Sequence, residues 1–145
     1  MKISIEEVSQ IQEEEIIIKC HEVNNGILNL IQSIKIQGGM LIGYEGSNIH
    51  RLHIKDVYYF ESVDNKTFMY CKDKVFESRQ KLYELEQLGQ NASFFRASKS
   101  TIINAARISY ISPSLSGRFE ARLDNGEKLM ISRQFVPMLK KMLNL

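Results

Sequence analysis

Two histidines three residues apart, His50 and His53, are the first groups in this sequence that could hold a metal ion. The surrounding residues read as a strand, where positions i and i+3 face opposite sides, so the two imidazoles cannot converge on one ion. The adjacent pair Cys20-His21 fails for the same reason. The run Glu13-Glu14-Glu15 reads as a solvated acidic patch, not an acid–base pair. Gly38-Gly39, Gly43 and Gly46 are spaced neither as a phosphate-cradling loop nor as a dinucleotide fingerprint. Ser98-Lys99-Ser100 sets a serine beside a lysine, without the three-residue spacing of acyl enzymes or a separate base. No catalytic residue, metal site or cofactor is expected, and an enzyme is the least supported class.

The remaining polar groups form three clusters of basic, hydroxyl and amide side chains at turn positions. They are Asp64-Asn65-Lys66, the stretch from Arg96 to Asn104 (RASKSTIIN), and Ser132-Arg133. These residue types suit a nucleic-acid duplex. Lys and Arg neutralise phosphates, hydroxyls and amides bond phosphate oxygens, and Arg can read guanine bidentately. Each cluster also has a plainer reading: Asn65 as a turn former, Ser132 as a helix cap, and Arg96 to Asn104 as a solvated turn.

The elements that must position these groups follow from periodicity. Glu15 to Glu22 has the β-branched density of a strand, and Asn24-Asn25-Gly26 caps a helix with Ile27, Leu30, Ile31 and Ile34 on one side. Gly38-Gly39 stops that helix. From Met40 the texture changes to short strands: Met40–Glu45, Asn48–His53, Val57–Ser62, Thr67–Cys71, Val75–Ser78, Phe94–Ala97, Arg107–Ile111, Arg118–Leu123 and Lys128–Ile131. Asp124-Asn125-Gly126 turns the last pair into a hairpin whose Phe119, Ala121 and Leu123 share one face. Two helices interrupt, about Arg79–Leu88 and Gln134–Leu143, the second with Phe135, Met138, Leu139, Met142 and Leu143 on one stripe and Pro137 in its first turn. The expected class is α+β, predominantly antiparallel β, with a strand–helix extension over residues 1–39 and the main domain over 40–145.

Totals bound the setting. The 145 residues, 43% hydrophobic and 25% charged, can bury a core without disulfide or metal help. Two cysteines, no apolar run behind the acidic N-terminus and no membrane-length apolar stretch predict a cytoplasmic protein. Residues 1–46 carry three Lys and seven Asp/Glu, a net of −4, whereas residues 47–145 carry 16 Lys/Arg and 10 Asp/Glu, a net of +6. A step of this sign fits a basic part facing a polyanion, and equally a solvated surface with uneven charge.

Three segments, IKDVYYFESVDNKTFMY, KLYELEQLGQNASFFRASKSTIINAARISYISP and GRFEARLDNGEKLMISRQFVPMLKKML, resemble the LytTR family of bacterial DNA-binding domains in order and spacing. The most specific pieces are Tyr59 to Ser62, Phe95 to Asn104, and Asn125 to Arg133. The resemblance implies an elongated antiparallel β fold whose loops, not a recognition helix, enter successive major grooves. It implies base contact by Arg133, backbone contact by Asn104, phosphate contact by Lys99 and Ser100, and a first-loop contact at Asn65 or Lys66. The sequence has no histidine in that first loop, and Ser98 stands where many members have His. Arg96 and Ser98 complete the expected DNA-binding set. No receiver domain is evident, and residues 1–39 resemble the short extension of stand-alone members.

The expectation is therefore a sequence-specific regulator of transcription that binds duplex DNA, with a second copy of itself on a repeated site. A regulatory membrane protein is a further partner such stand-alone members would fit. The rival is a protein–protein adaptor that offers a strand edge and the basic face to an acidic partner. An RNA-binding module would need an exposed aromatic platform, and most Phe and Tyr here fall at core-facing strand positions.

Overall fold

The computed structural model describes residues 1–37, 39–89 and 93–145. After an N-terminal stretch without helix or strand comes α1 (Asn25–Gln37), then β1 (Met40–Glu45), β2 (Asn48–His53), β3 (Tyr59–Val63), β4 (Lys66–Tyr70) and β5 (Val75–Ser78). These are followed by α2 (Leu82–Leu88), β6 (Phe94–Arg96), β7 (Thr101–Asn104), β8 (Ile108–Pro113), β9 (Phe119–Leu123), β10 (Lys128–Ile131) and α3 (Val136–Met142). Seven strands make one sheet in the order β2-β1-β5-β4-β3-β7-β6, and three make a second in the order β10-β9-β8. Every pairing is antiparallel, so the α+β, mainly antiparallel reading holds.

The large sheet is apolar on both faces, because its central strands alternate between two cores. Phe60, Phe94 and Ile102 face one way, toward Leu82 and Leu85 of α2. Tyr59, Phe95 and Ile103 face the other, toward Ala121, Leu123 and Ile131 of the small sheet and Val136 and Leu139 of α3. Within this second core the rings of Tyr59 and Tyr70 stack with centroids 4.2 Å apart. Arg107 ties the two sheets: it donates through Nε and Nη2 to the Lys55 carbonyl at 3.2 and 2.9 Å, and its Nη1 lies 3.7 Å from Asp124.

Several expectations need correction. Glu15 to Glu22 is not a strand: the β-branched residues there pair with no strand among the described residues. Residues 101–104, read as part of an exposed loop, form the buried strand β7 between β3 and β6. The helix expected from Arg79 starts at Leu82, and the last helix begins with a 3-10 turn over Arg133–Phe135 before Val136, with Pro137 in its first turn. Its buried residues are Val136 and Leu139, whereas Met138, Met142 and Leu143 are exposed. The Asn24 cap is present, its Oδ1 accepting the Ile27 N–H at 3.0 Å. Gly38 lies outside the described residues, and Gly39 has φ +67°. Among the described residues no helix is long and apolar enough to cross a membrane.

Candidate nucleic-acid interface

The first cluster is the tip of the β3–β4 hairpin. Val63 pairs with Lys66, leaving a two-residue turn in which Asp64 (φ +50°) and Asn65 (φ +64°) are both left-handed. Asp and Asn tolerate that conformation and match the twist of the flanking strands. Asn65 is thus a turn former, and it and Lys66 are exposed.

The second cluster is the β6–β7 turn. Ala97 is fully buried and its N–H donates to the Thr101 carbonyl at 2.9 Å, so the following three residues project beyond the sheet. The Ser98 hydroxyl accepts the Ser100 N–H at 3.2 Å, bracing the tip, while Lys99 and Ser100 are exposed. Arg96 does not project with them. Its Nε and Nη2 reach one Glu86 carboxylate oxygen at 2.8 and 2.7 Å, and its Nη1 donates to the Lys99 carbonyl at 2.8 Å. With its side chain only 16% exposed, Arg96 braces the turn against α2.

Asn104 stands apart. It is 2% exposed and lies at the far end of β7, where its amide donates to the Val57 carbonyl at 3.0 Å and accepts the Ala106 N–H at 3.1 Å. The expected backbone contact is corrected on this ground. The amide is enclosed and both its ends are occupied by main chain, so it holds the fold and is not presented to a ligand.

The third cluster joins the second through the main chain. The Ser132 N–H donates to the Ala97 carbonyl at 2.8 Å, setting the exposed Arg133 beside the β6–β7 turn. Ser132 makes no side-chain cap, so its backbone is what matters. The Arg133 stem lies over Gly117 (φ +76°), where an added Cβ would come within 3.0 Å of the Arg133 Cδ. Ser62 at the end of β3 donates its N–H to the Ser100 carbonyl at 2.8 Å, which brings the first cluster to the same end of the large sheet. Asn65, Lys66, Ser98, Lys99, Ser100 and Arg133 are therefore gathered at one end. Among the described residues none of the three cations there is in an ion pair, whereas Arg96, Arg107 and Lys128 are.

Sequence reasoning missed Glu86 and Gly117. Neither carries a local signal: Glu86 is one of two acids on α2, and Gly117 matters only because Arg133 crosses it from a turn distant in sequence. Among the described residues no group of three or more His, Cys, Asp or Glu side chains that could hold a metal ion is brought together. What the site offers is unpaired positive charge, hydroxyls and one amide on rigid turns, the chemistry of phosphate and base-edge recognition.

The LytTr DNA-binding domain family matches residues 47–144. The chain is 28% identical over 128 residues to an uncharacterized HTH-type transcriptional regulator of Staphylococcus aureus strain bovine RF122 / ET3-1, covering 88% of this chain and 85% of that protein. A similar regulator from strain MRSA252 is 27% identical with the same coverage. A solved LytTr DNA-binding domain from Bacillus cereus superposes with a TM-score of 0.70 at 25% identity, over 74% of this chain and 98% of that one. Among the described residues no two α-helices follow one another without an intervening strand, so the groups presented here sit on turns and not on a helix-turn-helix. The family is one of DNA-binding domains of transcription regulators, not of enzymes, and this chain belongs to it.

Proposed function

We propose that the protein is a cytoplasmic, sequence-specific transcription regulator that reads duplex DNA with the turns at one end of its large sheet. One observation carries this reading: the Ser132–Ala97 main-chain bond holds Arg133, a planar fork suited to guanine, beside the exposed Lys99 and Ser100. Arg133 reads a base edge. Lys99, Ser98 and Ser100 hold phosphates, and Asn65 and Lys66 touch the neighbouring stretch. One copy presents a single such end, which supports two copies on a repeated site. The extension, with exposed Ile3, Ile5, Ile11, Ile16 and Ile17, is the part open to packing against the second copy or to a regulatory membrane protein.

Selection of bound sequences from a random duplex pool, followed by a salt titration on the winner, tests the reading. Enrichment of a spaced repeat, with an affinity that falls linearly on a log–log salt plot, is expected. Absence of salt-sensitive affinity for any duplex would overturn it and leave the adaptor reading.

A further inference from the structure

We propose that the open half of the large sheet is a second contact with the DNA backbone, carried by Lys66, Arg79 and Arg51. This rests on the duplex-DNA reading above and extends it to two residues outside the turns. The face of the large sheet that packs on the small sheet is covered over β3, β7 and β6 and at the Tyr70 end of β4. Over the Lys66 end of β4 and over β5, β1 and β2 it is open, with Ile42 45% and Ile49 66% exposed.

The register defines the rows of this face. Glu61 pairs with Phe68, Phe68 with Glu77, Glu77 with Tyr44, and Tyr44 with Ile49. Side chains two residues along each strand share the same face. The next row toward the turn end is therefore Val63, Lys66, Arg79, Ile42 and Arg51, and the pairs Val63 with Lys66 and Ile42 with Arg51 belong to the ladder itself. Arg79 is fixed on this face by direct contact, its guanidinium carbon lying 4.1 Å from the centroid of the Tyr44 ring.

Three exposed cations, Lys66 in β4, Arg79 just past the end of β5 and Arg51 in β2, thus lie near one line across four neighbouring strands, which at about 4.8 Å per strand spans about 14 Å. Among the described residues none of the three has an acid partner. Like charges in neighbouring positions of a sheet repel, and a polyanion across the row relieves that repulsion. The carboxylates on the face, Glu61 and Glu77, sit one row back, about 7 Å farther from the turn end. Lys66 begins the row at the hairpin tip already assigned to DNA, so the line continues that site along the flanking backbone.

The test is a salt titration on the full chain with two duplexes, one long and one trimmed to the sequence needed by the turns, and with an unrelated duplex as a control. Arg51→Gln is the main variant, because among the described residues Arg51 has no hydrogen-bond or ion partner to lose. It should lower the slope of log affinity against log salt by about one on the long duplex, equally for cognate and unrelated sequences, and leave the trimmed duplex unaffected. Arg79→Gln should do the same and Arg79→Lys should restore the slope, with thermal melts reporting any loss from the Tyr44 contact. Salt-dependent binding by the wild type with unchanged slopes in Arg51→Gln overturns the proposal and leaves the reading of the turns intact. Unchanged slopes with loss of self-association would instead make the face a contact between copies. A wild-type chain that binds no duplex overturns both.

Discussion

Arg96 grips Glu86 with two nitrogens on one carboxylate oxygen, at 2.7 and 2.8 Å, and with its third holds the Lys99 carbonyl. The contact links the tip of the β6–β7 turn to a helix that touches no proposed ligand. A guanidinium can make all three bonds because they lie in one plane, and a lysine ammonium cannot reproduce them.

Arg96→Ala should therefore lower thermal stability and duplex affinity together, each by about 1–3 kcal/mol for a charged hydrogen-bond set that is mostly shielded on the arginine side. Arg96→Lys should rescue little. Glu86→Gln should follow the same pattern more weakly, although it removes an acid and adds no positive charge. If Glu86→Gln instead tightened binding, as simple removal of negative charge would, the bracing role would be wrong.

Asn104 separates holding the fold from holding DNA. Asn104→Ala leaves the buried Val57 carbonyl without its side-chain donor and the Ala106 N–H without its acceptor. A cost of about 1–3 kcal/mol in denaturant unfolding is expected for such orphaned groups. The salt slope on duplex DNA should be unchanged below the melting range. A lower slope at full stability would return Asn104 to the interface.

The two expectations that moved most, Arg96 and Asn104, show what a linear reading can reach. Alternation marked β9, and short strand-like runs between turn signals marked β1, β2 and β10, each with one face more buried than the other. β7 has no alternation, since Thr101, Ile102, Ile103 and Asn104 are all buried between two cores, and its polar ends resembled a loop. The turn residues Asn65, Lys99 and Arg133 were legible because turn chemistry is local. Glu86 became visible only once β6 and α2 were packed together, and the row of Lys66, Arg79 and Arg51 only once the register of four strands was known. Glu15 to Glu22 erred in the opposite sense: propensity was present and a pairing partner was not.

High pH should unfold the protein through both cores, at Cys71 beside the first and at Tyr59 and Tyr70 in the second. Burial, then the Asp56 and Asp73 carboxylates, push the Cys71 thiol from 9.0 up to about 11. Burial and then Glu127 raise Tyr59, and burial and then Glu61 raise Tyr70. Each group binds its proton more tightly folded than unfolded, so its contribution is complete below the unfolded pKa and vanishes as pH climbs through the folded one. Stability should be flat up to about pH 9 and then fall toward and beyond pH 11. Chemical denaturation across that range checks it. Cys71→Ser should shift only the early part of the decline, and a flat profile to pH 11 would contradict the assignment.

Arg133 and Lys99 should part company on sequence. Arg133→Ala removes a fork and should cost about 1–3 kcal/mol on the selected site while relaxing preference at one base pair. Lys99→Ala removes a point charge and should weaken every duplex alike, reducing the salt slope by about one. Gly117→Ala connects the two ideas through the fold. At φ +76° an alanine costs about 1–2 kcal/mol in backbone strain, and its Cβ meets the Arg133 stem at 3.0 Å. The variant should therefore lose base preference as Arg133→Ala does while keeping the full salt slope, because its cations are intact. Quantitative binding to the selected site and to single-base variants of it resolves these outcomes. Were Gly117→Ala to retain the wild-type preference, the reach of Arg133 would not depend on the surface it crosses, and its role in reading a base would lose its structural basis.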